Sequence, residues 1–408
     1  MDSLITAAAR ALAIGDPLAA LRLVALRNDA AGLALRGIAL AQLGDYARAR
    51  ELLRAAKRAF SPREVVARAR CMVADAEIAF ASRDLTSFSI GAVESACVTL
   101  ETHGDATNVT HARLLLIQYL LLTGKLGAAE SALRSVPPNL SAALEAVRQL
   151  LEAGIAMRRV HAVAARAALI RAEDAARRSC IRALVAEVDE ALKVLNTPVA
   201  RLFECGAEQS VRLEDVEALV DTGAFIVDEC RRTVRHQMRT ISLMRRPVLM
   251  MLATKLARAW PNDVARDELV ACAFRLKLAD DSHRARLRVE IGRLRQALAP
   301  IARIEATPRG YVLDTRDVSR VVALAPPVDD KYAEVLALLA DGAAWSTSSV
   351  AQTLGFSQRS IQRALAELER SGKVQTLGRG RTKRWMTPPI LGFATILLLP
   401  ASPPSGLA

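Results

Sequence analysis

The chain is 408 residues long, 52% hydrophobic and 4% aromatic, with a net charge of +13. That length accommodates two or three domains, each with a core of its own, and the apolar share excludes an intrinsically disordered chain. The charge is uneven: near neutral over residues 1–224, +9 over 225–316 and +3 over 328–386. A basic region joined to a neutral one is the footprint of a polyanion-binding module beside a separate partner domain.

The N-terminal half is rich in Ala, Leu, Arg and Glu, side chains that lose little rotamer freedom in a helix. Residues 34–62, ALRGIALAQLGDYARARELLRAAKRAFSP, divide into helix, short turn and helix. The small residues Gly37, Ala49 and Ala56 allow close helix packing, Gly44-Asp45 marks the turn, and Tyr46 opens the second helix as a packing wedge. This stretch resembles a tetratricopeptide repeat, although Pro62 comes one residue late and Arg36 stands at a usual leucine position. Weaker copies occur around Gly15 and Ala20 and around Gly124, Ala129 and Pro137, Arg83-Asp84 is read as another turn, and further helices are expected through 141–195. Such arrays bind a protein or peptide in a concave face; a plain helical scaffold or a dimerisation domain fits the same residues equally well.

From Ala224 the texture changes. Residues 224–243 alternate β-branched segments, as in a small antiparallel sheet. A helix over 246–260 stops before Pro261, a second covers 266–274, and RLRVEIGRLRQAL (286–298) forms a third, with Asp280-Asp281-Ser282 as cap candidates. At about 100° per residue Leu287, Ile291, Leu294 and Leu298 share one side of that helix, while Arg286, Val289 and Arg293 point away. Residues 301–313 are read as two strands joined by Pro308-Arg309-Gly310. This order resembles the OmpR/PhoB-type winged-helix DNA-binding domain, anchored on Ile291-Gly292-Arg293-Leu294-Arg295 with Leu298 and on Gly310-Tyr311 with Leu313. The resemblance implies a recognition helix on which Arg293 and Arg295 match the family's arginines, and a wing carrying Thr307 and Arg309; Arg284 and Arg286 are further candidate DNA contacts of the same basic stretch. Glu290 and Gly292 depart from the residues that the family usually places there to contact bases or phosphate.

After Pro326-Pro327, a helix over 331–342 precedes a helix-turn-helix over 346–374, with Gly355 in the turn, Ser357 as a cap and Ile361, Leu365 and Leu368 inward. Gln358, Arg359, Gln362 and Arg363 form the opposite face, residue types that read bases bidentately or grip phosphate. A basic hairpin follows, with Arg379, Arg381, Lys383 and Arg384. The unit resembles MarR/DeoR-like winged helices. The apolar run 390–399 is about half the ~20 residues of a membrane helix and is expected to be a strand or docking segment.

The six cysteines are scattered without CxxC spacing, which predicts buried thiols in a reducing compartment. No P-loop, GxSxG, HExxH or dinucleotide fingerprint occurs. Asp221-Thr222-Gly223 alone resembles a retropepsin-like aspartic protease turn. The expected fold is therefore mainly α: a tetratricopeptide-like domain over 1–200, a winged helix over 215–318, a second over 328–388, and an apolar tail over 389–408. The expected function is sequence-specific binding of double-stranded DNA by a transcription regulator, without catalysis, cofactor or metal, in the cytoplasm at the nucleoid. A protein or peptide partner is expected at residues 1–200, as is homodimerisation, with no membrane association. The competing reading is a protein-interaction adaptor.

Overall fold

The computed structural model describes residues 3–82, 88–244, 246–274, 281–315, 318–327, 332–339, 344–377 and 383–386. Among the described residues 64% are helical, in 18 helices, and three small sheets complete the fold. The protein is mainly α, as its composition predicts.

The N-terminal half is a run of α1 (Ser3–Ala13), α2 (Pro17–Val24), α3 (Ala30–Gln42), α4 (Tyr46–Ala59), α5 (Val65–Ala81), α6 (Ile90–Thr102), α7 (Ala106–Leu122), α8 (Leu126–Arg134), α9 (Ala142–Arg159), α10 (Ala162–Ser179) and α11 (Arg182–Asn196). Most helices pack on the next in sequence. The turns share a chemistry: Gly15, Gly44 and Gly104 take a left-handed φ, and the following Asp16, Asp45 and Asp105 accept a backbone N–H from the first turn of the next helix. One residue thus ends a helix and its neighbour caps the next. Within the 34–62 hairpin, a Cβ on Gly37 would lie 3.0 Å from both the Ala49 carbonyl oxygen and Leu53 Cγ. The small residues are there for close approach, and Ala49 and Ala56 are fully buried. Helix α7 is apolar on two sides: Val109, Ala112 and Leu115 join the core of the preceding helices, while Leu114, Ile117 and Leu121 join that of α8–α11. Arg83-Asp84 lies outside the described residues.

Beyond α11 the chain forms the hairpin β1 (Ala200–Glu204) and β2 (Ala207–Val211), then α12 (Leu213–Asp221), β3 (Phe225–Asp228), β4 (Thr233–His236) and β5 (Arg239–Ser242). Next come α13 (Pro247–Ala259), β6 (Val264–Ala265), α14 (Arg266–Phe274), α15 (Asp281–Leu298), β7 (Arg303–Ala306), β8 (Gly310–Asp314) and β9 (Val321–Ala325). Strands β3, β4 and β5 are antiparallel, as the alternation predicts. The sheet is larger than expected, however, with six strands in the order β2-β1-β9-β3-β4-β5. Strand β9 runs parallel to β3 and antiparallel to β1, and all five of its residues are buried. Its unbroken apolar run, Val-Val-Ala-Leu-Ala, is the pattern of a strand covered on both faces. A second sheet, β6-β8-β7, holds the hairpin against α13–α15.

The C-terminal unit comprises α16 (Ala333–Leu339), α17 (Thr347–Leu354), α18 (Gln358–Arg370) and the hairpin β10 (Gln375–Leu377) and β11 (Arg384–Met386). Trp345 bridges to Trp385, whose Nε1 donates to Thr347 Oγ1 at 3.0 Å. Its own core holds Ile361, Leu365 and Leu368, while Met386 is buried with the core of the first helices. The tail 389–408 lies outside the described residues, and no described helix is long and apolar enough to cross a membrane.

Two expectations need correction. None of the six cysteines forms a disulfide, but they are not all buried: Cys180 and Cys205 are exposed. Both sit at surface turns with left-handed φ values of 60° and 47°. Asp221 is the exposed last residue of α12, and Gly223 (φ 71°) ends that helix. The likeness to a protease turn, which follows a strand, does not survive.

Two stability predictions follow from these contacts. A Cβ on Gly310 would lie 1.7 Å from the Val264 carbonyl oxygen, so Gly310→Ala must push β6 off β8. We expect a loss of roughly 2–4 kcal/mol in denaturant unfolding; a neutral result would contradict the β6–β8 pairing. Arg320 clamps Glu204 through two hydrogen bonds, 2.7 and 2.8 Å, which hold the Glu204 carboxyl below its ordinary range. A depressed folded-state value gives stability that is present above the unfolded value and lost as pH falls through the folded one. Because both side chains are about a third exposed, Glu204→Gln should cost under about 1 kcal/mol at neutral pH. The difference from the parent should vanish in acid titration below the ordinary glutamate range.

Candidate nucleic-acid interface

Helix α15 buries Leu287, Ile291, Leu294 and Leu298, each at most 1% exposed. At roughly 2 kcal/mol for each large apolar side chain removed from water, this fixes which face the helix shows to solvent. The outward centre is a line of short or neutral side chains, Ala285, Val289, Gly292 and Gln296, all exposed. Arg286 and Arg293 flank it on one side and Arg288 on the other, by the 100° step. Val289 is 54% exposed, an unusual position for an aliphatic residue on a helix. A Cβ on Gly292 would meet nothing within 4 Å. No packing demand within the fold therefore accounts for this glycine.

The structure sorts the sequence-predicted arginines into two groups. Arg295 is committed internally: its Nε donates to the Ile304 carbonyl at 2.7 Å and its guanidinium lies 5.7 Å from the Tyr311 ring. It fastens α15 to β7 and β8. Arg284 donates to Asp267 at 3.1 and 3.2 Å, tying α15 to α14. Arg286 lies over the Phe274 ring at 4.6 Å with its side chain exposed. Arg293 is 63% exposed and donates to Glu290 Oε1 at 2.7 Å, while the Glu290 side chain is only 13% exposed. Glu290, which departs from the family pattern, is thus a half-sunken carboxylate that aims Arg293.

The hairpin tip is held by its own chemistry. Thr307 Oγ1 donates to Asp263 and accepts from the Gly310 N–H at 2.8 Å. Arg266 donates to the Pro308 and Thr307 carbonyls at 2.7 and 2.8 Å. Thr307 is therefore a bracket of the turn. Arg309 projects from the tip, 64% exposed, with only long contacts of 3.8 Å to Asp263 and 3.6 Å to Glu268. Exposed pairs of this kind are worth little, which leaves its guanidinium free to exchange partners.

In the C-terminal unit Gly355 (φ 70°) ends α17, and Ser357 Oγ accepts from the Ser360 N–H at 3.1 Å to cap α18. With Ile361, Leu365 and Leu368 buried, Gln358, Arg359, Gln362 and Arg363 are all exposed. Lys383 lies 4.1 Å from the centre of the Trp385 ring and 3.8 Å from Glu369, and Arg384 donates to the Lys383 carbonyl. Arg379 and Arg381 lie outside the described residues.

Two cations escaped the sequence reading. Arg288 completes the outward face of α15, and Arg246 immediately precedes α13 beside it. Both are exposed. The spacing of Arg288 from Gly292 and Gln296, four and eight residues, was a legible signal; Arg246 becomes informative only through the fold. An open cleft of about 670 Å³ is lined by Arg246, Pro247, Glu290, Arg293 and Gln296 among others. Small-molecule sites are enclosed and mostly apolar, and this cleft is neither.

Elsewhere the chemistry is quiet. A groove of about 180 Å³ between α4, α5 and α6 includes Arg54, Lys57 and Cys71. Burial pushes the Cys71 thiol up to about 12, far from the thiolate a nucleophile requires. Among the described residues no three His, Cys, Asp or Glu side chains come together as metal ligands. No protein-family model, curated protein or solved structure matches the chain.

Proposed function

We propose that the protein is a sequence-specific regulator of transcription that binds double-stranded DNA through two winged helix-turn-helix units. In this reading the helical array over 3–196, tetratricopeptide-like in its hairpins, binds a partner or senses a signal. The observation that carries the reading is the outward face of α15, with arginines on both flanks of a low central line, beside a braced hairpin whose tip presents Arg309. A helix entering a major groove needs such a profile. Long side chains along its centre would hold the backbone off the base edges, and cations at its margins meet the phosphates on either side.

Roles within this reading follow from side-chain chemistry. Gln296 has the amide that pairs bidentately with adenine, and Val289 offers an apolar contact for a thymine methyl. Arg286, Arg288, Arg293 and Arg309 grip phosphate. On α18, Gln358 and Gln362 are the base readers, and Arg359 and Arg363 the phosphate or guanine contacts. The order β3–β5, α13, α14, α15 and the β7–β8 hairpin supports the first unit, and α17, Gly355 and α18 with the β10–β11 hairpin support the second. The basic charge over 225–386 favours this reading over a protein adaptor, because the neutral half holds the array that an adaptor would use.

Salt-dependent binding tests the electrostatic part. Arg288→Ala, Arg293→Ala and Arg363→Ala should each lower the slope of log affinity against log salt by about 1; unchanged slopes in a titration from low to physiological salt would sink the proposal. Gly292→Ala tests the geometry by separating two readouts. Thermal or denaturant unfolding should show a gain of up to about 1 kcal/mol from helix propensity, while duplex affinity falls because the methyl group stands where the helix meets the groove. A variant that gains stability and keeps full affinity would place the interface elsewhere.

A further inference from the structure

The two helix-turn-helix units are not strung on a linker alone; they touch. A Cβ built on Gly355 would lie 3.0 Å from Pro247 Cγ and 3.2 Å from its Cβ, so the α17–α18 turn sits directly on the first turn of α13. Met244 packs on the core of the C-terminal unit. Arg232, only 7% exposed, reaches Glu334 of α16 at 3.4 Å. Three separate contacts, one of them using a buried guanidinium, fix the orientation as well as the distance of one unit on the other.

The location of this joint bears on what the protein reads. Pro247 is the shared landmark: one side of it meets Gly355, two residues before the cap of α18, and it also lines the cleft with Glu290, Arg293 and Gln296 of α15. The α17–α18 turn and one flank of α15 therefore meet at the same proline. Arg246, next to it in the chain, is exposed and lines the same cleft.

Resting on the DNA-binding reading above, we propose that α15 and α18 read a single composite duplex site in a fixed register. That register is set by the Gly355–Pro247 joint, and the length of the 326–332 connection does not enter it.

The test uses the full chain. Bound duplexes are first selected from a random library at low salt, which defines the two sub-sites. Affinity is then measured for duplexes in which the sub-sites are moved apart by one to ten base pairs. The parent is compared with a variant carrying eight Gly/Ser residues inserted after Pro327 and with Glu334→Arg, which opposes Arg232 with a like charge. The expected result is one preferred spacing, the same in the parent and the insertion variant, with about 10-fold or greater loss at other spacings. Glu334→Arg, whose target side chain is half-exposed, should flatten that preference while each sub-site alone is still bound. A preference that broadens or shifts with the inserted linker overturns the fixed register and leaves DNA binding standing. Failure of the parent to retain any duplex overturns the DNA-binding reading itself.

Discussion

The C-terminal half depends on one strand. β9 is paired along both edges and buried along its whole length. On one side it accepts β1, and with it the β2 hairpin and α12, which lead back to the helical array. On the other it lies along β3, the start of the unit that carries α15. At its end the Arg201 guanidinium donates to the Pro326 carbonyl at 2.9 Å, so the exit toward the C-terminal unit is fixed as firmly as the strand. A one-residue slip would move every side chain to the other face, driving Val322 and Leu324 out of one core and Val321 and Ala323 out of the other. The positions of α12, of the β3–β5 meander and of the departing chain are thus consequences of one register.

Much of this was legible in the residues. Periodicity placed the inward leucines of α15 and α18, and the small side chains of Gly37, Ala49 and Ala56 announced a close helix pair. β1 and β9 were not read as strands, because they pair across a long stretch of sequence, Leu202 with Leu324, and β2, the local hairpin partner of β1, was missed with them. Nothing local identifies a strand that inserts between two others far back in the chain, as β9 does between β1 and β3. The bounds expected for the first winged helix, 215–318, consequently leave out strands that belong to its sheet.

The candidate site was legible in kind but not in detail. Counting arginines located a basic helix; it did not separate Arg295, exposed but tied to the Tyr311 ring and the Ile304 carbonyl, from Arg288, which faces outward. Arginine is suited to both tasks, because its planar fork binds a carbonyl or stacks on a ring as readily as it grips a phosphate. The same holds for Thr307 and Ser357, whose hydroxyls satisfy backbone N–H groups and so prepare the turn and the helix end that present their neighbours. Pre-ordering of this kind lowers the entropy lost on binding.

Met386, 1% exposed, is the last described residue of the chain, and it packs into the core built by the first helices. During synthesis that core emerges first, yet it lacks one of its members until more than 260 further residues separate Leu122 from the ribosomal exit of Met386. The earliest part of the chain to fold is therefore among the last to be completed. Domains ordinarily fold as units in the order they are made; here the N-terminal array reaches its final packing only after both downstream units have been translated, so a truncated product would expose an unfinished surface at its amino-terminal end.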